Sequence, residues 1–140
     1  MDIGTFFTYR VSETLSDRNC IKIFEERYTL ESSDGGTYVF SVHRDGVRRD
    51  DVTGYPGYGN GHIRMGALRI IGRETLDTEF GRIEADVYGP GRGFCGGDIK
   101  VYMRDDGIVC RYVEKQMWSG GVMFERRWAL TGSSLLPRDR

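Results

Sequence analysis

Apolar and polar residues alternate with a period of two along most of this chain, and no segment sustains a helical stripe of period 3.6. In TFFTYRV (5–11), Phe7, Tyr9 and Val11 share one face, opposite Thr8 and Arg10. TYVFSVHR (37–44) groups Tyr38, Phe40 and Val42. RIEADVY (82–88) groups Ile83, Ala85 and Val87. VMFERRWAL (122–130) groups Val122, Phe124, Trp128 and Leu130, with Arg126 interrupting. In CIKIFEERYTL (20–30), Cys20, Lys22 and Glu26 build no apolar helical face, so the reading is a strand bent near Glu25. GALRIIGRETLDTEF (66–80) reads as a strand bent or bulged at Gly72, ending in a turn through Glu79, Phe80 and Gly81. Side chains that alternate in this way point to opposite faces of a sheet.

The turns set the register. A three-residue loop, Asp34-Gly35-Gly36, places a glycine where a left-handed conformation is needed. It sets Leu30 opposite Phe40 and Tyr28 opposite Val42, both apolar cross-strand pairs. In IKVYMRDDGIVCRYVE (99–114), Asp106-Gly107 is a two-residue hairpin signal. That turn sets Met103 opposite Cys110, Val101 opposite Tyr112 and Ile99 opposite Glu114. The other face then carries Lys100, Tyr102 and Arg104 against Val113, Arg111 and Val109. A slip of one residue would exchange the two faces.

YGPGRGFCGGD (88–98) contains Gly91, Gly93 and Gly96 at the spacing of a dinucleotide-binding loop. Such a loop follows a strand and opens a helix, whose N-terminus holds the phosphates. Here DIKVYMR follows, a strand pattern, so the segment is read as a hairpin loop. Antiparallel pairing of 82–88 with 98–104 sets Val87 against Ile99, Ala85 against Val101, Ile83 against Met103 and Asp86 against Lys100. The segment 44–64 holds five glycines and one proline and is read as a long excursion. The tail 131–140 is expected to fray.

These elements predict one all-β domain over residues 1–140. It would be a single curved antiparallel meander sheet or half-barrel of about seven to nine strands. Several strands carry apolar residues on both faces, such as Phe6 with Phe7 and Ile108 with Val109. A flat sheet would leave many of them wet, so the sheet must curl.

A length of 140 residues suits one domain. Twenty basic and 21 acidic residues nearly cancel, giving no charge argument for nucleic acid or an anionic membrane. No stretch approaches the ~20 apolar residues of a spanning helix. The start, MDIGTFF, lacks a basic region followed by an apolar run, so a cytoplasmic location is expected. Three cysteines, Cys20, Cys95 and Cys110, are an odd count and read as reduced thiols.

The candidate chemistry is sparse. The cysteines with His43 and His62 show no close zinc-like spacing, so no metal or other cofactor is expected. Glu74, Asp77, Glu79, Glu84 and Asp86 cluster in sequence, but on an outer face they stay solvated. Glu114 falls on the inward face beside Ile99. Buried there, it needs a partner, and Arg126 is the candidate. No nucleophile elbow appears, and neither histidine sits near a serine or cysteine partner. Lys100, Tyr102, Arg104 and Arg111 interleave on one face, read as an ordinary solvated surface.

GTFFTYRV (4–11), RETLDTEFGRIEADVY (73–88) and DGIVCRYVE (106–114) together resemble the strand layout of the lipoprotein-carrier half-barrel superfamily. The resemblance implies a curved antiparallel sheet whose concave face holds acyl chains or other apolar ligands. No site residue is carried over from it. The expected function is a non-enzymatic binding module, with a hydrophobic small molecule or partner segment held on the concave face. Tyr9, Phe40, Tyr112 and Trp128 would line that face with Glu114 and Arg126, and loops 46–63 and 89–97 would form its rim. One alternative is a protein-interaction or homo-oligomer module using an open sheet edge. Another is an enzyme using Glu114 with Arg126, or the carboxylates near Glu84.

Overall fold

The period-two pattern resolves into ten strands in one antiparallel sheet. A computed structural model describes residues 2–18, 20–35, 37–49, 51–54, 68–90, 98–117 and 119–136. The strands are β1 (Phe6–Leu15), β2 (Cys20–Asp34), β3 (Thr37–Arg44), β4 (Val47–Arg48), β5 (Val52–Gly54), β6 (Leu68–Thr78), β7 (Gly81–Pro90), β8 (Asp98–Met103), β9 (Val109–Met117) and β10 (Met123–Ser133). A single 3-10 turn, Ser119–Gly121, lies before β10. Among the described residues there is no α-helix, and no helix long and apolar enough to cross a membrane.

The spatial order is β4-β3-β2-β1-β10-β9-β8-β7-β6, with β5 also beside β3. Every strand pairs with its neighbour in sequence except β4 with β5 and β5 with β6. The last strand returns to lie beside the first, Val11 facing Trp128. The path is open between β5 and β6, and residues 55–67, which include about half of the expected excursion, lie outside the described residues. The described part of that excursion holds two short strands, β4 and β5. Asp45-Gly46 forms a two-residue turn with both residues at positive φ (49° and 82°), and β4 follows it directly. That is the geometry an Asp-Gly hairpin favours. The expected frayed tail is ordered at its start: Thr131–Ser133 continue β10, with Ser133 facing Phe7.

Bulges at five places bend the sheet, at Thr8/Tyr9, Glu13/Thr14, Leu30/Ser32, Ile70/Gly72 and Tyr102/Met103. Each adds local twist. Two of them alter expected turns without altering the main register. Tyr28 faces Val42 and Leu30 faces Phe40, as expected. The bulge beyond Leu30 then takes up one residue, so Asp34 pairs with Thr37 and the loop shortens. Ile99 faces Glu114 and Val101 faces Tyr112, also as expected. Met103, however, faces Val109 and not Cys110. The turn is a three-residue Asp105-Asp106-Gly107, closed by the Ile108 carbonyl accepting from the Arg104 N–H at 2.9 Å, with Gly107 at φ 87°.

β7 and β8 do pair antiparallel, and a strand follows the glycine segment, as expected; residues 91–97 themselves lie outside the described residues. The register differs by three. Val87 faces Tyr102 and Asp86 faces Met103, so Asp86 does not meet Lys100. Apolar matching misleads here because Val101, Tyr102 and Met103 are all buried. Either face of β8 offers an apolar partner, so matching cannot choose between odd and even shifts.

The core is one continuous cluster, built on the side of β1 that carries Phe7, Tyr9 and Val11. Phe7 meets Phe40 and Tyr9 meets Tyr28 edge to face, at ring separations of 6.2 and 5.8 Å. Such pairs add to the burial of large rings. The Tyr9 hydroxyl donates to the Val109 carbonyl at 3.0 Å, tying β1 to β9 across β10.

Candidate functional site

The same alternation that builds the core sends charged residues inward. Phe40, Val42 and Arg44 share a face on β3. Phe24, Glu26, Tyr28 and Leu30 do so on β2, and Val11 and Glu13 on β1. Phe124, Arg126 and Trp128 continue the set on β10, Tyr112 and Glu114 on β9. Each of these five central strands therefore places a charged side chain in its inward register. An inward charge is costly unless it is paired.

Two clusters satisfy that requirement. In the first, Arg44 reaches Glu26 at 3.1 Å and stacks on the Phe24 ring at 4.3 Å. The other Glu26 oxygen accepts from the Tyr28 hydroxyl at 2.7 Å. Burial, reinforced by the adjacent Glu26 carboxylate, holds the Tyr28 phenol far above its ordinary range.

The second cluster occupies a cross-strand row. Lys22, Glu13, Arg126, Glu114 and Ile99 stand side by side on β2, β1, β10, β9 and β8. The row beside it is wholly apolar: Phe24, Val11, Trp128, Tyr112 and Val101. The Arg126 guanidinium lies over Phe124 at 5.2 Å and Trp128 at 5.4 Å, and reaches Glu13 at 3.1 Å. Trp128 packs edge to face on Tyr112 at 4.4 Å. Glu114 accepts from the Tyr112 hydroxyl at 2.9 Å and from the Gln116 amide. Burial, then the Glu114 bond, raises the Tyr112 phenol above its usual range.

The expected partner of Glu114 is thus beside it but otherwise engaged. Arg126 faces Glu114 in register, yet its ion pair goes to Glu13 on the other flank. Of the six residues expected to form the site, Tyr112, Glu114, Arg126 and Trp128 are brought into one cluster. Tyr9 and Phe40 lie deeper in the core, away from the charged row, each at most 2% exposed. Period-two reading would have found Glu13, Glu26 and Arg44 as well, since each extends an apolar face by one step.

No protein-family model and no curated protein sequence matches this chain. The chemistry must therefore be read from the side chains.

Three buried donors have no acceptor among the described residues: Arg44 Nε, Arg126 Nε and Trp128 Nε1. Two of them are neighbours on β10, and Trp128 is only 2% exposed. An unpaired buried donor costs about 1–3 kcal/mol. Reactive groups are scarce nearby. Burial pushes the Cys110 thiol up to about 11, and it points at the Ile108 carbonyl. Among the described residues no three His, Cys, Asp or Glu side chains gather as a metal site. His62, Cys95 and the Cys20 side chain lie outside the described residues.

The outer carboxylates gather on a residue the sequence pattern did not single out. Arg73 bonds Asp86 at 2.9 Å, Glu84 at 3.2 Å and Asp105 at 3.2 Å. These hydrogen bonds raise the Arg73 guanidinium pKa further. Glu84 and Asp86 share one arginine at the surface and are held there as ion-pair partners.

Proposed function

We propose that this chain is a non-enzymatic binding module for an apolar small molecule carrying a hydrogen-bond acceptor. The ligand's apolar part would lie against Trp128, Tyr112 and Phe124, and its acceptor would meet Trp128 Nε1 and Arg126 Nε. The pair of adjacent buried donors that have no acceptor among the described residues carries this reading. A carbonyl or carboxylate oxygen suits them, because an indole N–H and a guanidinium N–H only donate. The resemblance to lipoprotein-carrier half-barrels supports an apolar ligand on this face. Glu114 has both oxygens engaged by Tyr112 and Gln116, which favours a positioning role over proton transfer.

The test is native mass spectrometry of protein purified from its own host, with a titration of dodecanoate followed by Trp128 fluorescence in a Trp118→Phe background. A co-purified apolar compound and a saturable fluorescence change, lost in Arg126→Met, are expected. A folded protein that carries nothing and shows no saturable change rejects the reading.

A second reading has one specific observation behind it. β6 pairs only with β7 among the described residues, and Ile70 and Ile71 on it are about half exposed. An open edge of eleven residues with exposed apolar side chains is a template for strand addition. A dimer in solution that Ile70→Lys converts to monomer would favour self-association along β6.

A further inference from the structure

The outer face of the central strands holds an arrangement that neither the core nor the inward row uses. Here Arg111, Ala129 and Arg10 stand in one cross-strand row on β9, β10 and β1. The next row is Val113, Arg127 and Ser12. Adjacent strands lie about 4.8 Å apart, so Arg111 and Arg10 rise about 10 Å from each other. Between them is only the methyl group of Ala129. The result is a cleft of about 340 Å³, floored by Ala129 and walled by Arg10, Arg111 and Arg127, with the Ser12 hydroxyl at its side.

The charges are poorly compensated. Arg127 is held by Glu125 at 2.9 Å. Arg111 lies over the Tyr102 ring at 5.5 Å and forms no ion pair among the described residues. Arg10 faces Glu25 in register without forming an ion pair among the described residues. Three guanidinium groups therefore converge on one cleft in a protein whose net charge is −1.

We propose that this outer cleft binds a compact multivalent oxyanion, a phosphate or diphosphate group, free or on a small molecule. Planar guanidinium forks match phosphate oxygens in pairs. Two forks on opposite walls, with a third behind, match a group that presents oxygens in several directions. A small ligand fits better than a polyanionic strand. Glu25 and Glu125 flank the cleft with negative charge. Among the described residues the two rings of this face that lie near arginines are covered by them, Tyr102 by Arg111 and Phe6 by Arg27, which leaves neither open to a base. The cleft lies on the opposite face from Arg126 and Glu114, and Trp128 is the one residue that contributes to the lining of both.

The experiment is isothermal titration of the full chain with inorganic pyrophosphate at low ionic strength, alongside amide chemical shifts. Saturable binding below about 10 mM is expected, with shifts centred on Arg10, Arg111 and Ala129. Arg10→Gln and Arg111→Gln should each weaken it about tenfold, the loss of one charge-assisted contact. Arg82→Gln, at an exposed pair away from the cleft, should change it less than about twofold. Ala129→Glu tests occupancy from within: its carboxylate would sit between the two arginines, abolish pyrophosphate binding and leave the fold intact. Absence of saturable binding by the folded wild type overturns the proposal. So does unchanged binding by Ala129→Glu. A single-stranded oligonucleotide of about twelve nucleotides that binds tighter than pyrophosphate, and tighter with length, would replace the small ligand with a strand.

Discussion

Single residues carry opposite burdens on the two faces of this sheet. Inward charges survive because each has an aromatic bed and a partner. Glu26 is the most enclosed, only 6% exposed, with Arg44 on one oxygen and Tyr28 on the other. Glu26→Gln should cost about 1–2 kcal/mol, because Arg44 is one third exposed and water screens part of the loss. Urea denaturation reads this directly. A loss below about 0.3 kcal/mol would mean the cluster is incidental to stability. The buried acids predict a pH dependence whose sign is set. The Cys110 thiol is raised from 9.0 to about 11, and the Tyr9 and Tyr28 phenols are raised above 10.0, all chiefly by burial. The unfolded chain therefore releases these protons first. The Cys110 contribution is fully present below about pH 9 and is lost as pH rises through 11, and that of the tyrosines begins to fall above pH 10. Urea midpoints should fall steadily from pH 9 upward, and Cys110→Ala should flatten the first part of that fall.

At the scale of elements, alternation and turn chemistry do most of the specification. The pairs Tyr28 with Val42 and Val101 with Tyr112 follow from apolar matching, and the structure has both. The turns themselves are less legible, because a bulge absorbs one residue at little cost and leaves the register beyond it intact. Asp106-Gly107 shows this. It reads as a two-residue turn, yet Asp105 joins it and the bulge at Tyr102/Met103 restores the pairing. Gly107, at φ 87°, is the position that this longer turn requires. Gly107→Ala should destabilise by about 1–2 kcal/mol, with the folded amide spectrum otherwise kept. An unchanged thermal midpoint would contradict the left-handed turn. Apolar matching fails where β8 is buried on both faces, which is why β7 sits three residues from its expected register.

For the whole molecule, the chain order and the sheet order differ by one cut. Moving residues 6–54 behind β10 would give β6-β7-β8-β9-β10-β1-β2-β3-β4, a simple meander in the order the sheet already has. The start of β1 and the end of β10 lie side by side, Phe6 accepting a hydrogen bond at its carbonyl from the Ser134 N–H at 3.3 Å. A circular permutant of this sequence opened between Gly54 and Leu68, with its first and last residues joined by a short Gly-Ser linker, should therefore fold. No described strand pair spans the opened connection. Circular dichroism and a cooperative thermal transition check it, and a molten permutant would mean that residues 55–67 hold the two halves together.

The sequence alone was enough for the class, for the longer strands and for the inward set on β1, β2, β3, β9 and β10, because a two-residue repeat is a local property that each strand writes for itself. It also held the charged inward positions in plain view, as steps of that repeat. Tertiary structure decided what lies beside what. The return of β10 to β1 sets Arg126 next to Glu13 across more than a hundred residues, and sets Arg111 and Arg10 on either side of Ala129. Both arrangements depend on which strands are neighbours. Local alternation carries no information about that, since any inward face matches any other until bulges, curvature and the pairing of the chain's two ends select one order.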